Sequence, residues 1–88
     1  MDFQISPDLE KELKKIKSKD LQLIRRIEKQ LNLFQQNHLH PSLRVHKLSG
    51  NLKNIWSIAI DKNYRMLFVY DDNGVYFFDI GTHDQVYK

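Results

Sequence analysis

Between Trp56 and Tyr87 the chain reads WSIAIDKNYRMLFVYDDNGVYFFDIGTHDQVY, with β-branched and aromatic residues in three runs. The turn-formers Asp61-Lys62-Asn63 and Asp71-Asp72-Asn73-Gly74 fill the gaps, so the pattern predicts three strands in an antiparallel meander. The register of the second turn decides which side chains share a face. An Asn73-Gly74 loop of two residues would set Arg65 opposite Thr82. A loop of three, Asp72-Asn73-Gly74, has the glycine in the left-handed bulge position after a type I turn. It sets Tyr70 opposite Tyr76, Phe68 opposite Phe78 and Met66 opposite Ile80. The longer loop is preferred because these residues join Trp56, Ile58 and Ile60 on one apolar face, which a slip of one residue would scatter. The opposite face then carries Ser57, Ala59, Arg65, Leu67, Val69, Val75, Phe77, Asp79 and, just past the strand end, His83.

Upstream the period changes. Asp2 to Ser6 alternates polar and apolar, with Phe3 and Ile5 on one side, as in a short edge strand. Ser6-Pro7 marks a helix start, with serine as N-cap, proline at the first helical position and Asp8 and Glu10 in the first turn. Leu9, Leu13 and Ile16 make its buried stripe. After Ser18-Lys19-Asp20, a second helix carries Leu21, Ile24, Ile27, Leu31 and Phe34 at steps of three and four. Asn37-His38 ends it, with asparagine suited to a left-handed C-terminal position. A Pro41-Ser42 connector leads to a strand over Leu43–Lys47, and Ser49-Gly50-Asn51 turns the chain into the meander. Helices followed by an antiparallel sheet indicate an α+β fold, a helical hairpin packed on one face of a small sheet. At 88 residues, 1–88 is read as a single domain.

Composition narrows the setting. The chain has no cysteine, so disulfides and thiolate metal sites are excluded. Its N-terminus lacks the basic and apolar regions of a signal peptide, and the longest apolar run, Met66 to Tyr70, is five residues. A soluble cytoplasmic protein is expected. The net charge of +3 is unevenly spread: Arg44, Lys47, Lys53, Lys62 and Arg65 face the single acid Asp61 between His38 and Arg65. A polyanion suits that segment, although a solvated basic surface would look the same. The five lysines of Lys11–Lys19 read as the wet face of the first helix.

His38-x-His40, His46 and His83 match no standard zinc pattern, and no carboxylate sits at a ligand spacing, so neither metal nor cofactor is expected. There is no glycine-rich phosphate loop and no nucleophile elbow. What remains is an acid–base set: His83, His46, Arg65, Lys53 and Tyr87. RNA strand cleavage needs such groups, because a 2′-hydroxyl must lose a proton, a 5′-oxygen must gain one and the phosphate must be charge-stabilised. Histidine titrates near neutrality, arginine grips phosphate with a planar fork, and an aromatic ring can stack on an unpaired base. Each residue also has a purely structural account: His83 as a turn residue, Arg65 paired with Asp79, and Tyr87 covering the edge of the core.

The order of elements and the segments HPSLRVHKLSGNLKNIWSIAI, NYRMLF and DIGTHDQVY resemble the RelE/ParE superfamily of type II toxin–antitoxin toxins, above all its RelE/YafQ-type mRNA interferases. The resemblance spans nearly the whole chain. It carries a terminal histidine-plus-aromatic motif onto His83 and Tyr87, a basic residue of the third strand onto Arg65, and a histidine before the Leu-Ser-Gly turn onto His46. It implies cleavage of mRNA in the ribosomal A site by 2′-hydroxyl attack, and Lys53, Lys47, Arg44 and Lys62 of the basic segment are then the residues expected to bind RNA. It also implies a cognate antitoxin covering the open face at Leu67, Val69, Val75 and Phe77. Ala59 and Asn63 depart from the histidine and aspartate of YafQ-like members. A ParE-like inhibitor of DNA gyrase and an inactive antitoxin-binding relic are the competing expectations.

Overall fold

The computed structural model describes residues 1–48 and 54–86. The expected turn at Ser49-Gly50-Asn51, together with Lys53 and Tyr87, lies outside them. Strand β1 (Phe3–Ile5) leads into helices α1 (Pro7–Lys19) and α2 (Leu21–Gln36), followed by a 3-10 turn (Pro41–Leu43), strands β2 (His46–Lys47), β3 (Ile55–Ala59), β4 (Tyr64–Asp71) and β5 (Gly74–Thr82), and a short helix α3 (His83–Val86). Ser6 caps α1 by accepting the Leu9 N–H at 3.1 Å, with Pro7 at the first helical position. One aspartate serves both helices: the Asp20 N–H closes α1 on Ile16 C=O, and its carboxylate takes the Leu23 N–H of α2 at 3.0 Å. Asn37 ends α2 with φ −153°, extended rather than left-handed. The strand expected over Leu43–Lys47 shrinks to His46–Lys47, because Leu43 is drawn into the core as the last residue of the 3-10 turn.

The sheet runs β1-β5-β4-β3-β2, all antiparallel except β1, which joins β5 in parallel. The helical hairpin covers one face. Leu9, Leu23, Ile24, Ile27, Leu31 and Phe34 pack there against Ile58, Ile60, Met66 and Phe68, the even-numbered set the alternation singled out.

The β4–β5 register differs from expectation in its turn-proximal half. Asp71 pairs with Gly74 across a loop of two residues, Asp72-Asn73, and the extra residue appears as a bulge opposite Leu67/Phe68. Gly74 takes φ +113°, and the Asp71 carboxylate accepts the Asn73 N–H at 2.8 Å. Met66 therefore faces Ile80 as expected, but Phe68 faces Phe77 instead of Phe78. The slip moves Val75 and Phe77 to the helix side, where they align with Phe3 and Ile5 of β1 and are 2% and 0% exposed. Phe78 packs on the other face with Leu48, Leu67, Val86 and Ile55. Val75 and Phe77 are thus core residues and not part of an open docking face.

Candidate functional site

The site is built on the face of the sheet turned away from α1 and α2. β2 pairs with β3 so that His46 stands opposite Ser57, and β3 pairs with β4 so that Ala59 stands opposite Arg65. Ser57 is fully buried, and its hydroxyl accepts the Arg65 Nε–H at 3.1 Å. Arg65 Nη2 donates to the Arg44 carbonyl at 3.0 Å and lies 3.3 Å from His46 Nδ1, which is itself 3.1 Å from the same carbonyl. Arg65 is therefore anchored by Ser57 and Arg44, while Asp79 accepts its neighbour's Ile80 N–H at 2.8 Å. The signal for Ser57 in the sequence was a lone hydroxyl in an otherwise apolar strand.

Two further residues shape this corner: Gln30, which the pattern gave no reason to single out, and Asp61, the lone acid of the basic segment. Gln30 of α2 is buried, and its amide donates to Ala59 C=O at 2.9 Å and Ser42 C=O at 3.3 Å, fastening the 3-10 turn to β3. Asp61 accepts the Asn63 and Tyr64 N–H groups at 2.8 Å each and pairs with Arg26 of α2 at 3.3 Å, which turns the single acid of the basic segment toward a cation.

His83 arrives from the other side. Arg65 stands opposite Gly81, and beyond the last strand pair the His83 N–H reaches Asn63 C=O at 3.2 Å. The chain then folds back as α3 over the site face, fixed by a capping box. Thr82 N–H donates to Gln85 Oε1 at 2.8 Å, and Gln85 N–H to Thr82 Oγ1 at 3.4 Å. Gly81 leaves this return little room for a side chain, since a Cβ there would stand 2.9 Å from Gln85 Oε1 and 3.1 Å from Val86 Cγ1 and would make both side chains shift. The exposed His83 imidazole has the Asp84 carboxylate 3.8 Å from Nδ1.

Two hollows adjoin along this edge. One, of about 290 Å³, is lined by Ser42, Arg44, Ala59, Asp61, Lys62 and Arg65. The other, of about 330 Å³, is lined by Lys62, Asn63, Tyr64, Thr82, His83 and Asp84. Lys62 is their common wall. Arg65, His46 and the Arg44 carbonyl thus gather at one corner, and Lys62 links it to the hollow that His83 lines. Lys47 does not join them, because it stands opposite Trp56 and alternation sends its side chain to the other face from His46. Leu67 lies on the site face but is 5% exposed beneath Leu48 and Val86, whereas Val69 is half-buried. Among the described residues no three histidine or acidic side chains cluster as a metal site, and no helix is long and apolar enough to cross a membrane.

This architecture recurs in solved toxins. YafQ from E. coli strain BL21(DE3) superposes with a TM-score of 0.73, covering 99% of this chain and 98% of its own at 18% identity. The YoeB–YefM toxin–antitoxin heterotetramer of Staphylococcus aureus matches with a TM-score of 0.72, covering 94% of this chain and 97% of the matched one at 23% identity. The fold is that of the RelE-like toxins. In sequence, RelE4 of Methanocaldococcus jannaschii is 32% identical over 89 residues, spanning 99% of this chain and 90% of the relative. The family described as bacterial toxin of type II toxin–antitoxin system, YafQ, matches residues 1–88, and the chain belongs to it.

Proposed function

We propose that this toxin is an mRNA endoribonuclease that acts with the ribosome, and that a cognate antitoxin neutralises it. The observation that carries the reading is the convergence of the Arg65 guanidinium and the His46 imidazole on the Arg44 carbonyl, with Lys62 lining both this corner and the hollow that holds His83. In this reading the Arg65 guanidinium, aided by Lys62 and by Lys53 outside the described residues, steadies the scissile phosphate. His46 accepts the proton of the 2′-hydroxyl as the 2′-oxygen attacks phosphorus. The P–O5′ bond breaks, His83 protonates the leaving 5′-oxygen, and a 2′,3′-cyclic phosphate remains. Tyr87, outside the described residues, positions a flanking base by stacking, as an aromatic ring can. The YoeB–YefM and DinJ–YafQ complexes support an antitoxin partner, and of Leu67, Val69, Val75 and Phe77 it is Val69 that is left half-open to it.

Mapping mRNA 5′ ends after induced expression tests the reading. New cuts should appear, and His83→Ala or His46→Ala should reduce them by about 10²- to 10⁴-fold, the usual contribution of a general acid or base. Undiminished cutting by both variants would overturn the assignment. Intact mRNA with inhibited DNA supercoiling would replace it with the gyrase-inhibitor reading.

A further inference from the structure

We propose that Arg44 serves the site through its main chain: its left-handed turn aims one carbonyl at both proposed catalytic groups, fixing the Arg65 guanidinium and the tautomer of His46. The inference rests on the nuclease reading only for its consequence in catalysis. Arg44 adopts φ 46° and ψ 47°, a conformation that residues other than glycine, asparagine and aspartate seldom take. Such outliers persist where surrounding structure imposes them and concentrate at functional sites. Here the imposing structure is visible. The Arg44 N–H closes the 3-10 turn on Pro41 C=O at 3.1 Å, Leu43 before it is fully buried, and His46 two residues later must enter the sheet opposite Ser57. A left-handed residue at 44 makes the reversal.

A carbonyl oxygen has two lone pairs and can serve two donors. Arg65 Nη2 takes one at 3.0 Å, and His46 Nδ1 lies at 3.1 Å from the other. A carbonyl cannot donate, so a bond at the 3.1 Å contact needs the hydrogen on Nδ1, and the 3.3 Å approach of Nη2 to Nδ1 then sets two donors side by side on one acceptor. Neutral His46 accordingly carries its hydrogen on Nδ1 and its lone pair on Nε2, the form a general base needs. Ser57 completes the cradle by accepting at Nε. Arg44 is a positioning residue, distinct from the groups it positions.

The test compares Arg44→Gly, which keeps the left-handed turn and the carbonyl, with Arg44→Val, whose branched side chain opposes positive φ. Arg44→Ala is the milder substitute should the valine variant fail to fold. Imidazole nitrogen NMR of the full chain reads the His46 tautomer directly and needs no activity. The wild type and Arg44→Gly should hold the Nδ1–H form, and Arg44→Val should lose that bias. In cleavage of mRNA on programmed ribosomes, Arg44→Gly should act on KM through its lost cation. Arg44→Val should lower kcat by about 10- to 100-fold, as misplaced catalytic groups do. An Nε2–H tautomer in the wild type would overturn the inference, as would equal kcat losses in the glycine and valine variants. Absent RNA cleavage with the Nδ1–H form intact would count against the nuclease reading and leave the positioning upheld.

Discussion

Truncating Phe77 and Phe78 one at a time distinguishes the two registers of the β4–β5 hairpin. Phe77 is 0% exposed, and its ring centroid lies 5.3 Å from Phe3, 5.3 Å from Phe34 and 5.1 Å from Phe68. Phe77→Ala removes a ring whose burial contributes about 1.5–3 kcal/mol and whose aromatic pairs add further increments. Because the core cannot fully collapse around the void, the expected loss is about 3–5 kcal/mol. That is between a fifth and the whole of the roughly 5–15 kcal/mol that a domain holds, and in a domain of 88 residues, toward the lower end of that range, the variant should be partly unfolded at physiological temperature. Phe78 is half-buried in the smaller cluster with Leu48, Leu67 and Val86, so Phe78→Ala should cost only about 1–2 kcal/mol. Urea unfolding followed by the fluorescence of the single tryptophan, Trp56, which stacks on Phe68, supplies the assay. The midpoint should fall with the slope unchanged. A loss at Phe78 equal to or larger than that at Phe77 would refute the bulged register.

Gly81→Ala should cut activity more than stability, because the new Cβ meets Val86 Cγ1 at 3.1 Å and pushes away α3, the helix that begins at His83. Cleavage rates falling at least tenfold with a melting temperature lowered by only a few degrees, on the order of 1 kcal/mol, is the expected outcome; normal rates would argue against the placement of α3. Ser57→Ala should cost roughly 1 kcal/mol of stability through the lost hydrogen bond to Arg65 Nε, and should weaken cleavage. In an Arg65→Lys background, where no Nε–H exists, the same change should do little more, and strictly additive losses would show that Ser57 acts independently of Arg65.

The helical hairpin could be read from the sequence because its signals are local. Ser6-Pro7, Asp20 and the three–four spacing from Leu21 to Phe34 each act within a turn or two of chain. The even-numbered face of β3 and the first half of β4 was legible for the same reason. The bulge was not, because the choice between Phe77 and Phe78 as core residue depends on Phe3 and Phe34, which are brought to β5 from more than forty positions away. The candidate site divides in the same manner. Arg65, His46 and His83 stood out by residue type, whereas Ser57, Gln30, Gly81 and the Arg44 carbonyl act through contacts that no residue type announces.

The bulge also couples the core to the site. Had the pairing set by the Asp72-Asn73 loop run on unbroken, Arg65 would face Ile80 and Met66 would face Asp79, sending a carboxylate into the core and an isoleucine onto the basic face. One extra residue at Phe78 restores Met66 to Ile80 and Arg65 to Gly81. It also keeps Val75 and Phe77 on the helix side, where β1 needs them. With Gly81 opposite Arg65, α3 folds back over the sheet without displacing the Gln85 and Val86 side chains, and His83 stands beside Lys62. Bulges beside functional sites commonly re-aim a side chain in this way. Here a tight turn, a four-ring aromatic core and the approach of His83 to the Arg65 face are reconciled by a single unpaired position in β5.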